Sequence, residues 1–299
     1  MRDNRLMRIG ILGVGAIAVN VIDAIQSSTD SANTFYLSPR STHRADALVN
    51  KYANCVKLET NQAVIDASDI VVLSVLPKQV DEVLSQLNFR PDHVVASFIA
   101  GRPPSEITKL VSPATKVAQL IPLPPIELHK GPLLICPPIS ELAQVFSGLG
   151  ELVELNDENQ IKIFSAGSAT MSMYFTLQNE IIDWFTKQGI EFDLAAKYVT
   201  SLNEGLGAIA AKTAPSELKH LPVAHETPGG LNESVRTNLE KAMSGFCIDG
   251  FVGPGAVCGG TLRPAQRGIP SQRSDVRHPA LSRQMGGGPG AAPKPRVHS

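Results

Sequence analysis

From about Leu6 to Leu155 the chain alternates short apolar runs with stretches whose apolar residues recur every three or four positions. The runs Met7–Leu12, Thr34–Leu37, Ile70–Leu76, Val94–Ile99, Lys116–Ile121 and Leu152–Leu155 read as strands. Several are continuously apolar rather than alternating, the pattern of strands covered by helices on both faces. Strand–helix–strand repetition predicts an α/β fold with a parallel, doubly wound sheet. From Asp157 the strand signal stops, and Ile161–Gln188, Phe192–Ala211 and Asn232–Met243 read as amphipathic helices joined by the polar stretch Ser216–Pro228. The pattern changes again at Gly245, beyond which there are 11 Gly and 7 Pro and few apolar residues. The expected organisation is an α/β domain over residues 1–156, an all-helical domain over 157–244 and a disordered Gly/Pro-rich tail over 245–299.

Composition narrows the function classes. The 299 residues carry a net charge of −1, against a surface built to neutralise phosphate backbones. The tail holds seven Lys/Arg and two Asp, but its only aromatics are Phe246 and Phe251, too few to stack bases. It reads as a solvated tail or a stretch unrelated to the fold, such as a shifted reading frame, and nucleic acid is not an expected partner. Four cysteines show neither C-x-x-C spacing nor a nearby His, so no metal site is expected and a reducing cytoplasm fits. The basic Met1–Arg8 and apolar Ile9–Ile25 mimic a leader, but Asn20, Asp23 and three glycines interrupt it, and no membrane span is expected.

The first strand ends in Gly13-Val14-Gly15-Ala16-Ile17-Ala18 and opens the first helix. Gly13 permits a tight turn, Gly15 lets backbone approach a pyrophosphate, and the small Ala18 allows close helix–strand packing. The second strand is followed by Ser38-Pro39-Arg40-Ser41, with no acid to accept from a ribose 2′-hydroxyl. Arg40 with the hydroxyls of Ser38 and Ser41 suits a 2′-phosphate, so NADP(H) is expected over NAD(H). Val75, Leu76, Pro77 and Gln79 after one strand, and Ala100 and Gly101 after another, are expected to flank nicotinamide and ribose.

These segments, with Thr227-Pro228-Gly229-Gly230, stand in the order and spacing of the pyrroline-5-carboxylate reductases, which the chain resembles over about residues 6–244. The resemblance implies a Rossmann domain coupled to a helical dimerisation domain, and NAD(P)H-dependent reduction of a cyclic imine to proline. It implies an amino-acid-like substrate, a homodimer or larger oligomer, and a pocket built from Ser168, Thr170 and the Thr227, Gly229 and Gly230 backbone, whose N–H groups would hold a carboxylate. Asn232 stands where the family has a threonine, and His225 and Glu226 are candidates for proton donation at the rim. Leu123 replaces an amide that the family places near the nicotinamide. Two other readings compete. One is a reductase of small hydroxy or oxo acids, disfavoured because Lys162 and Lys187 lie only at the ends of the first long helix. The other is a cofactor-binding sensor or scaffold without turnover.

Overall fold

The structure is a computed structural model describing residues 6–28 and 33–242. The expected tail at 245–299 lies outside the described residues. Eight strands form one sheet: β1 Arg8–Leu12, β2 Thr34–Leu37, β3 Cys55–Lys57, β4 Ile70–Leu73, β5 Val94–Ser97, β6 Lys116–Pro122, β7 Pro132–Cys136 and β8 Glu151–Glu154. Among the described residues the helices are α1 Ala16–Ser27, α2 Thr42–Lys51, α3 Asn61–Asp66, α4 Val80–Leu84, α5 Pro104–Leu110, α6 Ser140–Phe146, α7 Glu158–Ser168, α8 Met171–Lys187, α9 Phe192–Lys212, α10 Leu221–Ala224 and α11 Leu231–Ala242.

The strand order is β3-β2-β1-β4-β5-β6-β7-β8, and the first six strands are mutually parallel. The order reverses between β1 and β4, the crevice where open α/β sheets bind ligands. Alternate residues of each central strand feed two separate cores. Ile70 and Val72 of β4, with Val94 and Ala96 of β5, pack on the α1 side with Val21, Ile22 and Ile25. Val71, Leu73 and Val95 pack on the other side with Val80 and Leu84 of α4 and Ile107 of α5. This two-sided burial explains why the strands carry continuous apolar runs.

β3 and β7 were not legible as strands. β3 is three residues long, and β7 is an apolar run between Pro132 and Pro137. β7 runs antiparallel to β6, because residues 123–131 hold only a short 3-10 turn, too little chain for a parallel crossover. The expected helix over 161–188 is two helices, broken at Ala169-Thr170. There the Ser168 hydroxyl donates to Ser165 O at 2.7 Å and Thr170 to Gly167 O at 2.8 Å. Such back-bonding beside an interior glycine weakens the helix where it ends. The connection 216–228 contains a 3-10 turn and α10.

The helical part is thinly cored. α7 is tied to the sheet by Ile161, which packs with Leu134, Cys136 and Leu155. α8 and α9 bury Ile182, Ala195 and Val199 against each other, while Phe175, Leu177, Trp184, Leu194 and Tyr198 stay more than half exposed.

His93 is fully buried before β5, its Nδ1 accepting the Arg90 N–H at 3.0 Å. Burial, reinforced by Arg90, holds its pKa below the ordinary 6.5. The unfolded chain therefore binds a proton first as pH falls. Stability is at its full value above the unfolded pKa and is lost as pH drops toward the folded one. His93→Asn keeps an acceptor for the Arg90 amide and removes the titration. Urea unfolding between pH 7 and 5 is expected to show a flatter profile for the variant, differing by up to about 1.4 kcal/mol per pH unit. Parallel profiles would contradict this assignment.

Candidate functional site

The site is built at the carboxyl ends of β1, β2 and β4. Gly13 has φ +93°, and a side chain there would meet Ser74 O at 2.6 Å. Only glycine fits this turn. Its N–H donates to the Ser38 hydroxyl at 2.9 Å, and Ser38 is 1% exposed. Ser38 therefore shapes the β1–α1 turn. This corrects its expected role: the buried hydroxyl braces Gly13 and does not present itself to a phosphate.

Gly15 is the N-cap of α1, with no side-chain cap and open space where a Cβ would stand. The first turn of α1 carries no acidic residue, leaving its N–H groups and positive dipole end available to an anion. Val14 points into the core, so it contributes backbone alone, whereas Ala16 and Ile17 are exposed. Beside them a cleft of about 860 Å³ runs between α1 and α2, lined by Ala16, Arg40, Ser41, Thr42, His43 and Arg44 among others. Arg40 is exposed and makes no ion pair among the described residues. Ser41 caps α2 without a side-chain cap bond, so its hydroxyl is not committed to the helix. Arg44, one turn after Arg40, was not singled out from the sequence; the i, i+4 spacing across a helix start was its signal.

The next strand ends form the adjoining rim. Val75 packs against the α4-side core, Leu76 is 57% exposed, and Pro77–Gln79 form a 3-10 turn. Ala100 is exposed, and Gly101 takes φ +77° with open space around it. Two supporting residues went unnoticed in the sequence. Gln119, 3% exposed within β6, donates to Ile99 O at 2.7 Å and fixes the turn that presents Ala100. A lone amide inside an apolar strand was its signal. Arg102 pairs with Asp81 of α4 and, at 3.1 Å, with Glu106, tying the two rim loops together.

At the end of β6, Leu123 lines a cavity of about 350 Å³ with Ile121, Pro132, Leu134, Ile163, Phe164, Ser165, Gly167 and Ser168. Ser168 thus reaches this cavity, although its hydroxyl donates to Ser165 O. Thr170 is exposed, engaged with Gly167 O, and is not part of the lining.

The remaining candidates form a local knot whose hydrogen bonds stay within residues 221–240. Thr227-Pro228-Gly229-Gly230 is a β-turn closed by Gly230 N–H to Thr227 O at 2.8 Å, with Gly229 at φ +77°. Proline followed by a positive-φ glycine is the type II signature. The Gly229 N–H donates to Glu233 Oε2 at 2.6 Å, and the Asn232 amide donates to His225 O at 2.7 Å. His225 is exposed, its Nδ1 against Leu221 O at 2.8 Å. Glu226 is clasped by Arg236 through Nε at 2.5 Å and Nη2 at 3.1 Å, and Arg236 also binds Glu240. These carboxylates hold the guanidinium's pKa above its ordinary value. Two expectations are corrected. Glu226 is an ion-paired brace, not a free proton donor, and the Gly229 and Gly230 amides are already taken by the chain itself.

Residues 8–101 match the family described as NADP oxidoreductase coenzyme F420-dependent. Among curated proteins, a pyrroline-5-carboxylate reductase of Pseudomonas aeruginosa is 25% identical over 256 residues, spanning 82% of this chain and 90% of that protein. Pyrroline-5-carboxylate reductase 3 of Xenopus laevis is 25% identical over 247 residues, spanning 78% and 88%. The 1-pyrroline-5-carboxylate reductase of Streptococcus pyogenes superposes with a TM-score of 0.69 at 18% identity, covering 84% of this chain and 96% of that one. The Plasmodium falciparum pyrroline carboxylate reductase, solved with NADP bound, gives 0.69 at 19% identity, covering 85% and 96%. These superpositions establish the fold.

Two substitutions test the geometry. Gly13→Ala is expected to destabilise by at least about 2 kcal/mol in urea unfolding, since it sets a Cβ against the Ser74 carbonyl at a forbidden φ. An unchanged midpoint would contradict the turn. Arg236→Gln unclasps Glu226, and a glutamate-specific protease is expected to cut after Glu226 faster than in the unaltered chain. Equal cutting rates would show that the clasp does not hold the turn.

Proposed function

From a chain that is a divergent member of the pyrroline-5-carboxylate reductase family, we propose an NADPH-dependent reductase of a small cyclic imine, with 1-pyrroline-5-carboxylate, reduced to proline, as the reference substrate. The observation that carries this reading is the cradle at the ends of β1, β2 and β4: a Gly13 turn, an uncapped α1 N-terminus and an unpaired Arg40 beside the cleft. The residues fit the cofactor. Gly15 leaves the space a pyrophosphate needs, no acid follows β2 between Ser38 and Arg44, and Asp23, which lines the same cleft, is already paired with Lys51 and Tyr52. When bound, NADPH supplies a hydride to the imine carbon, the C=N π pair passing to a nitrogen already protonated from water, so that amine and NADP⁺ result.

The chain's own part is binding, orientation and exclusion of water. Arg40, with Ser41 and Arg44, would hold the 2′-phosphate, and the α1 N-terminus the pyrophosphate. Val75, Leu76, Pro77, Gln79, Ala100 and Gly101 would flank ribose and nicotinamide. From β1 to β6 is three strand spacings, about 14 Å. That span brings the far end of an extended dinucleotide to the cavity beside Leu123, where the imine would sit. A protonated imine needs no strong acid, which accords with a cavity lining that carries no titratable side chain among the described residues.

In this reading residues 1–156 bind the cofactor and 157–244 form the dimerisation and substrate domain. A second copy would cover the exposed apolar residues of α8 and α9. No helix of the described residues is long and apolar enough to cross a membrane. The buried, unpaired thiols of Cys55 and Cys136 accord with a cytoplasmic setting. The uncharged lining also favours a second reading, a cofactor-binding protein without turnover.

NADPH titrated into the purified chain should bind at least roughly tenfold more tightly than NADH, and Arg40→Ala should remove most of that difference. NADPH absorbance should fall when 1-pyrroline-5-carboxylate or its uncharged parent 1-pyrroline is added. Tight NADPH binding with no loss of absorbance for either imine would select the reading without turnover.

A further inference from the structure

The cavity and the turn that a carboxylated imine would use share an electrostatic character that the relatives' names do not suggest. Ile121, Leu123, Pro132, Leu134, Ile163 and Phe164 make the cavity wall apolar. Its polar side chains are serines, and Ser168 is already donating to a carbonyl. Among the described residues no Lys, Arg or His lines it. The second observation is independent. At the Pro-Gly-Gly turn the Gly229 N–H holds the Glu233 carboxylate at 2.6 Å, and the Gly230 N–H holds Thr227 O at 2.8 Å. The neighbouring cation, Arg236, is shared between Glu226 and Glu240. A substrate carboxylate arriving there would have to displace Glu233 and lie against its charge, while Arg236 is already committed to Glu226 and Glu240.

We propose that the preferred substrate is an uncharged-side-group imine, a cyclic or small imine bearing an alkyl or aryl substituent and no carboxylate, with the substituent in the Leu123 cavity and Glu233 acting against carboxylated analogues. This deepens the imine-reductase reading and rests on it. A volume near 350 Å³ is at the small end of ligand sites, room for a small ring with a compact substituent. The hydride, electron and proton accounting is that of the proposed reaction, so no further reactant is needed.

The test compares 2-methyl-1-pyrroline with 1-pyrroline-5-carboxylate on the full chain with NADPH, following absorbance, while fluorescence titration measures NADPH binding separately. The kcat/KM ratio is expected to favour the methyl imine by roughly tenfold. In Glu233→Gln, which keeps an acceptor for Gly229 and drops the charge, the ratio should move toward the carboxylate by about threefold or more. Leu123→Asn should move it the same way by lowering turnover of the methyl imine. A ratio favouring 1-pyrroline-5-carboxylate, or one unmoved in both variants, overturns the proposal while leaving the imine-reductase reading intact. NADPH binding with neither imine reduced removes that reading, and the proposal with it.

Discussion

Everything on the ligand-facing edge depends on how closely the β1–α1 turn can approach β4. Gly13 brings its backbone against Ser74 O and gives its N–H to Ser38, so a single residue joins the ends of three strands. Any side chain at Gly13 would push β1 and β4 apart at the point where the strand order reverses. The same contact aims the start of α1 outward over the crevice, with Gly15 leaving room above it. The close approach is therefore a packing constraint that also leaves the α1 N-terminus open.

The sheet affords this strained corner because its two cores are dense and separately filled, with Ile9, Ile70, Val72 and Leu73 wholly buried. The helical part is arranged differently. α8 and α9 share a small core and leave Phe175 and Leu177 about 60% exposed. Order around the Pro-Gly-Gly turn is supplied by polar side chains of α11. Asn232, Glu233 and Arg236 each hold a different part of residues 225–229. The turn is thus preset in shape by groups that also set its charge.

Strand periodicity and the glycine spacing made the parallel sheet and the tight β1–α1 turn legible from the sequence, because both follow from local rules of burial and backbone freedom. β7 was not legible, since its direction is fixed by the length of the 123–131 connection rather than by its own residues. The break after Ser168 was missed because Ser and Thr side chains can either face solvent or bond back to the helix, and sequence does not choose between them. At the site, Ser38 sat at the expected strand end but faces inward, a matter of one side chain's direction. Glu226 was legible as an acid beside the turn, but its role as an ion-paired brace depends on Arg236, ten residues later. Long-range partners of this kind leave no pattern in a single chain.

The most direct measurement of the account is isotope transfer. NADPH deuterated at the nicotinamide C4 would be incubated with the full chain and a cyclic imine, and the amine formed would be weighed by mass spectrometry. The account predicts one deuterium on the former imine carbon, delivered from one of the two C4 positions only. Amine without deuterium, or no amine while NADPH is bound, would contradict it.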